Sequence, residues 1–203
     1  METRIRIIFA ITMLSLLAAC TSLSDKTGTQ AFVVDKEELV LAYQDRSMLL
    51  YLRPGFESSK VNHLELGHVA VQTSFSLGAE QKTEQDHLGA ELESQLNKLL
   101  TTRDTASRLS MDVRLYDIAP VSPAINVLTT LLFLAPLDTG ALTVETLYRD
   151  DSGRIQARRL DRLSGSVFNL KASFSAYGQH RLALNEWALR CSAQAACLKK
   201  PVE

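Results

Sequence analysis

Leu109-Ser110-Met111-Asp112-Val113-Arg114-Leu115 alternates apolar and polar side chains without a break. Successive side chains of a strand point to opposite faces of a sheet, so this period of two predicts a strand with one face on a core. Just before it, Leu88, Leu92, Leu96, Leu99 and Leu100 fall on a single helical stripe. Thr83, with Asp86 three residues later, offers that helix a start. After it, Leu142, Val144 and Tyr148 open a further strand, Asp150-Asp151-Ser152-Gly153 is a turn signal, and Arg154 to Leu160 returns as the second arm of a hairpin. From about Ser175, Tyr177, Leu184, Trp187, Ala188 and Cys191 recur at helical spacing and predict a terminal docking helix.

Upstream, Leu64 to Phe75 alternates but changes phase. Leu64 and Leu66 hold one parity and Val69, Val71 and Phe75 the other, with Gly67 at the switch. A β-bulge at Gly67 keeps both sets facing one core. Residues 31–53 are mixed, with a short strand at Met48 to Leu52 closed by Arg53-Pro54-Gly55. The expectation is an α+β domain with a mixed or antiparallel sheet of about four to five strands and two main helices packed on one face.

The beginning of the chain is of a different kind. Arg4 and Arg6 precede an apolar run from Ile7 to Leu17, and Ala18-Ala19 lead into Cys20. This is the layout of a secretory signal, with an apolar run shorter than the roughly 20 residues that span a bilayer. Leu17-Ala18-Ala19-Cys20 resembles the bacterial lipobox, which implies cleavage before Cys20 and acylation of its thiol and new amino group. The resulting organisation is a signal peptide at 1–19, a lipidated flexible tether at 20–30 rich in Ser, Thr, Gly and Asp, and a single domain at 31–203. Thr21 stands where an Asp would resemble an inner-membrane retention signal, which leans toward the outer membrane, periplasmic face.

With Cys20 assigned to lipid, Cys191 and Cys197 are the only pair left in an oxidising compartment. In an unbroken helix a separation of six places the side chains about 240° apart and ~9 Å along the axis, beyond the ~7 Å that a disulfide tolerates. A bridge therefore requires the helix to end between them; the alternative is two free, partly buried thiols.

Ser122-Pro123 caps a segment, Ala124 to Ala135, that is apolar apart from Asn126, Thr129 and Thr130, which share one helical face. Two readings stand: a buried crossover helix, or an apolar surface made by Ile125, Leu128, Leu131, Leu132 and Phe133 that meets a protein partner or the membrane.

Further motifs resemble those of a family. Leu50-Tyr51-Leu52-Arg53-Pro54-Gly55, Leu147-Tyr148-Arg149-Asp150-Asp151-Ser152-Gly153 and Asn185-Glu186-Trp187-Ala188 resemble landmarks of an uncharacterised Gram-negative lipoprotein family of unknown function. Its domain is similar to the amino-terminal domain of TolB. The resemblance spans most of residues 38–190. Ser59-Lys60-Val61 departs from it, since family members often carry an aromatic residue before the bulged strand. The resemblance implies no catalytic residue and no cofactor.

Chemistry is sparse. His63-Leu64-Glu65-Leu66-Gly67-His68 has the spacing H-x-E-x-x-H on a strand pattern, not the H-E-x-x-H helix of zinc proteases, so no metal is assigned. No Gly-x-Ser-x-Gly stretch and no phosphate-cradling glycine loop occurs. A formal net charge of −1 without a long basic run argues against a nucleic-acid surface. The basic stretch Arg154 to Arg159, with Arg162, puts Arg154, Gln156 and Arg158 on one side of a strand, expected to be the wet side of an edge. The functional expectation is a non-enzymatic envelope lipoprotein without cofactors, held to the membrane through acyl chains on Cys20 and serving as accessory or interaction subunit of an envelope assembly with a protein partner. A periplasmic module that binds lipid or peptide is the alternative, and an envelope hydrolase the third.

Overall fold

The computed structural model describes residues 39–61, 63–72, 78–100, 108–133, 140–165, 172, 174–192 and 196–198. Cys20, the signal, the tether and Phe75 lie outside the described residues.

Six strands form one sheet: β1 (Val40–Gln44), β2 (Met48–Leu52), β3 (His63–Val71), β4 (Arg108–Ala119), β5 (Ala141–Arg149) and β6 (Ile155–Ser164). Among the described residues three α-helices accompany them: α1 (Ala79–Leu99), α2 (Pro123–Phe133) and α3 (Gly178–Ser192). The strand order is β1-β2-β6-β5-β4-β3. Only β3 and β4 run parallel, joined through α1; the other neighbours are antiparallel. The fold is thus α+β with a mixed sheet. The sixth strand beyond the expected count is β1, whose Val-Leu-Ala-Tyr-Gln sequence lacks alternation because it is an edge with little of either face buried.

The alternating stretch Leu109 to Leu115 is the core of β4: Leu109, Met111, Val113 and Leu115 are buried while Ser110, Asp112 and Arg114 are half-buried. Against it pack Leu88, Leu92 and Leu96 of α1 and Tyr177, Leu184, Trp187, Ala188 and Cys191 in or beside α3. Each such fully buried Leu contributes about 1.5–3 kcal/mol. α1 begins a turn earlier than Thr83: Gly78 is its N-cap, and the Thr83 hydroxyl donates back to the Ala79 carbonyl from within the helix.

The ladder shifts register at four places, between Leu41 and Tyr43, Leu66 and Val69, Tyr116 and Ala119, and Tyr148 and Arg149, and two of them bear on the site. Leu66 pairs with Met111 and Val69 with Val113, so β3 spends one residue more than β4 across Gly67 and His68. A Cβ on Gly67 would stand 2.6 Å from Ser110 Oγ and press on the Asp112 carboxylate, which explains the glycine. In β4 the register slips between Tyr116 and Ala119, where Asp117 takes a positive φ of 52°, a conformation that Asp tolerates better than most residues.

β6 is not an edge. It lies between β2 and β5, and Arg158, expected on the wet side, is buried. Its guanidinium donates to Glu145 Oε1 at 2.8 Å on the sheet face opposite α1 and α3, where Leu49, Tyr116 and Leu160 form a second, smaller apolar cluster.

Candidate functional site

The ends of β4 and β6 and the start of β5 meet at one end of the sheet, since Ala119 pairs with Ala141 and Ala141 with Ser164. α2 crosses between β4 and β5 at this end. Pro123 starts it at the first helical position, where a missing N–H costs nothing, and Asn126 N donates to Ser122 O to close the first turn. Its eleven residues carry no ionisable side chain, and among the described residues no helix is long and apolar enough to cross a membrane.

The orientation of α2 inverts the usual rule for a surface helix. Asn126 is 0% exposed, whereas Val127 is 49% and Leu131 76% exposed. Val127 and Leu131 are one turn apart and share a stripe, as do Asn126 and Thr130. Thr130 keeps its hydroxyl oxygen buried without a hydrogen-bond partner among the described residues. The polar stripe therefore turns inward and an apolar one outward. Ile125, Leu128, Leu132 and Phe133 belong to the same helix, with side chains outside what the structure describes.

Beneath this end lies a set of buried polar groups that periodicity alone does not reveal: Gln85, Gln179 and His180. Gln85 occupies the apolar stripe of α1, three residues before Leu88, and reaches Ile118 O at 3.5 Å. His180 Nε2 lies 3.3 Å from Ala141 O, and its ring stands 5.7 Å from that of Tyr177. Gly140, at φ +63°, admits this packing, since a Cβ there would lie 2.7 Å from His180 Cε1 and 2.9 Å from Ala119 O. A polar residue inside a hydrophobic stripe, as at Gln85, is the sequence signal that marks this region.

Elsewhere the chain is anchored by a charged node. Asp161 accepts Arg159 Nε at 2.6 Å, Arg159 Nη2 at 2.7 Å and Trp187 Nε1 at 3.0 Å, tying β6 to α3. Arg159 Nη1 also donates to Cys197 O at 2.7 Å. Burial alone would depress the Arg159 pKa; hydrogen bonding and the charge of Asp161 outweigh it, and the net shift is upward. Cys191 and Cys197 are joined by a disulfide, with Cα atoms 4.6 Å apart, and α3 ends at Ser192 between them.

The structure does not gather the residues of the His-Glu-His stretch. Glu65 and His68 are exposed and His63 half-buried along β3, and among the described residues no group of three or more His, Cys, Asp or Glu is placed to hold a metal. At the Ala141 end of the sheet, α2 carries no ionisable side chain and turns Val127 and Leu131 outward.

Comparison with known proteins adds little. No family model matches the chain, and no curated protein does. Among solved structures, a dodecamer of a PelC variant from Paraburkholderia phytofirmans aligns with 73% of this chain and 97% of its own at 9% identity. Its TM-score is 0.37, a likeness too low to carry an argument about fold or function.

Proposed function

We propose that this chain is a non-enzymatic lipoprotein of the bacterial cell envelope, acylated at Cys20, that serves as accessory or interaction subunit of an envelope assembly at the periplasmic face of the outer membrane. The observation that carries the reading is Leu17-Ala18-Ala19-Cys20 at the end of a basic-then-apolar leader. More than one acyl chain on Cys20 makes the anchoring effectively permanent, since each buried methylene adds about 0.8 kcal/mol. The outward stripe of Val127 and Leu131, on a helix without ionisable side chains, offers apolar surface for contact.

The test is acylation and fractionation in the producing cell. The wild-type protein incorporates labelled palmitate and stays with the membrane pellet through alkaline washing, and Cys20→Ser loses both properties. Retention of the unacylated variant in the pellet would refute the anchor. Crosslinking in intact cells, followed by purification, tests the partner: recovery of bulk membrane proteins at background level counts against an assembly role.

A further inference from the structure

The occupant of the α2 surface can be named from where the rest of the chain leads. β1 begins at Val40, which pairs with Leu52; Leu52 pairs with Ala157 and Ala157 with Tyr148. The tether thus joins the sheet near the Tyr148 end of β5, whereas α2 sits at the Ala141 end. Seven residues of strand separate these levels, or about 24 Å, and the strands between β1 and β5 add roughly 14 Å sideways at ~4.8 Å each. The diagonal is about 28 Å. Residues 20–39, the expected tether at 20–30 and the segment from it to β1, reach at most roughly 65–70 Å. That length exceeds the diagonal, so it lets the α2 end reach the leaflet that holds Cys20.

The surface presented there suits hydrocarbon better than a charged partner. From Ile118 to Leu137 the sequence contains no ionisable side chain, and the polar residue of α2 whose burial is complete, Asn126, points away from Leu131. An interfacial helix ordinarily turns its polar face to water; here Asn126 faces the domain while Val127 and Leu131 face outward.

We infer that the outward face of α2, through Val127 and Leu131, dips into the acyl region of the leaflet in which Cys20 is anchored, giving the domain a second, weaker membrane contact that fixes its orientation. The inference rests on the lipoprotein reading. The contact is uncharged, so it is insensitive to salt and to anionic lipid.

The test uses the full-length acylated protein. On the lipoprotein reading Cys20 carries lipid, and Cys191 is bonded to Cys197, so Leu131→Cys introduces a single reactive thiol for an environment-sensitive fluorophore. Asp151→Cys, on the exposed β5–β6 turn at the opposite end of the sheet, serves as control. Both are reconstituted into phosphatidylcholine vesicles and floated. The label at 131 is expected to shift to the blue, to lose iodide quenching several-fold relative to 151, and to be quenched by spin-labelled lipid, unchanged in about 1 M NaCl, where screening acts within roughly 3 Å. Protein that floats with the vesicles while both labels remain equally open to iodide overturns the α2 inference and leaves the anchor standing. Shielding from iodide without quenching by lipid assigns the face to a protein contact and also overturns it. Protein that fails to float refutes the anchor, and the inference falls with it.

Discussion

Asp161→Asn isolates the charged node that fastens α3 to the sheet. In the folded chain both Asp161 oxygens are engaged, one by Arg159 Nη2 at 2.7 Å and the other by Arg159 Nε at 2.6 Å and Trp187 Nε1 at 3.0 Å. Asparagine keeps one acceptor, turns two N–H bonds toward groups that are themselves donors, and leaves the Arg159 charge without its counterion in a largely buried setting. Orphaning one member of a buried pair costs about 3–5 kcal/mol. For a domain of this size each kcal/mol lowers Tm by roughly 2–4 °C, so the melting temperature should fall by roughly 6–20 °C. Trp187 is the sole tryptophan, so its fluorescence through a urea titration reads the node directly. The companion variant, Arg159→Met with Asp161→Leu, removes both charges and should cost less than Asp161→Asn alone, though it also forfeits the bond to Cys197 O, about 1 kcal/mol. A single-variant loss below about 1 kcal/mol, or a double variant as unstable as the sum of its parts, would refute the argument.

Three other outcomes are expected. Cys191→Ser with Cys197→Ser opens a short loop and should lower stability by about 2 kcal/mol by loop-closure entropy, read as a shift in urea midpoint that reducing agent reproduces in the wild type but not in the variant. Gly67→Ala forces a Cβ into Ser110 Oγ and the Asp112 carboxylate and should cost about 1–3 kcal/mol; an unchanged midpoint would show that the bulge has room to open. Asp150 is held below its ordinary 3.8 first by the Ser152 hydroxyl, with burial opposing, and then by Arg154 N–H, the Gln156 amide and Ser152 N–H. A depressed carboxylate contributes stability above its unfolded pKa and loses it as pH falls through the folded one, so Asp150→Asn should flatten the decline in stability below pH 3.8 seen in acid titration of the wild type; equal slopes would remove Asp150 from the acid response.

Much of the architecture was readable because it rests on period. Leu109 to Leu115 and the stripe of Leu88, Leu92 and Leu96 each carry an unbroken pattern, and the phase change at Gly67 located a bulge. β1 escaped because an edge strand with little buried face has no alternation to display. The connector defeated periodicity in another way: in Ala124 to Ala135 the polar residues share one helical face, which the usual rule turns to water, and only the burial of Asn126 with the exposure of Leu131 shows it turned inward. Arg158 was assigned to water because alternation reports a face but not what lies on the neighbouring strand. Glu145 sits on that strand, opposite Leu160 and diagonal to Arg158, and a cross-strand pair of this kind depends on register. The Asp161 node is hidden for the same reason, its tryptophan coming from a helix 26 residues further along.

The strand order has a consequence for how an exported chain reaches its final form. On the lipoprotein reading β1 and β2 cross the membrane early, yet β2 owes its second partner to β6, with Met48 opposite Asp161 and Leu52 opposite Ala157. Until those late residues emerge, the amino-terminal hairpin has an unpaired inner edge bearing Met48, Leu49 and Leu50, all of which end up buried. Closing so distant a pairing is slow compared with local hairpin formation, and an open apolar edge in the meantime invites association with other chains. Vectorial translocation would thus make this protein a natural client for periplasmic holding factors until its last strand arrives.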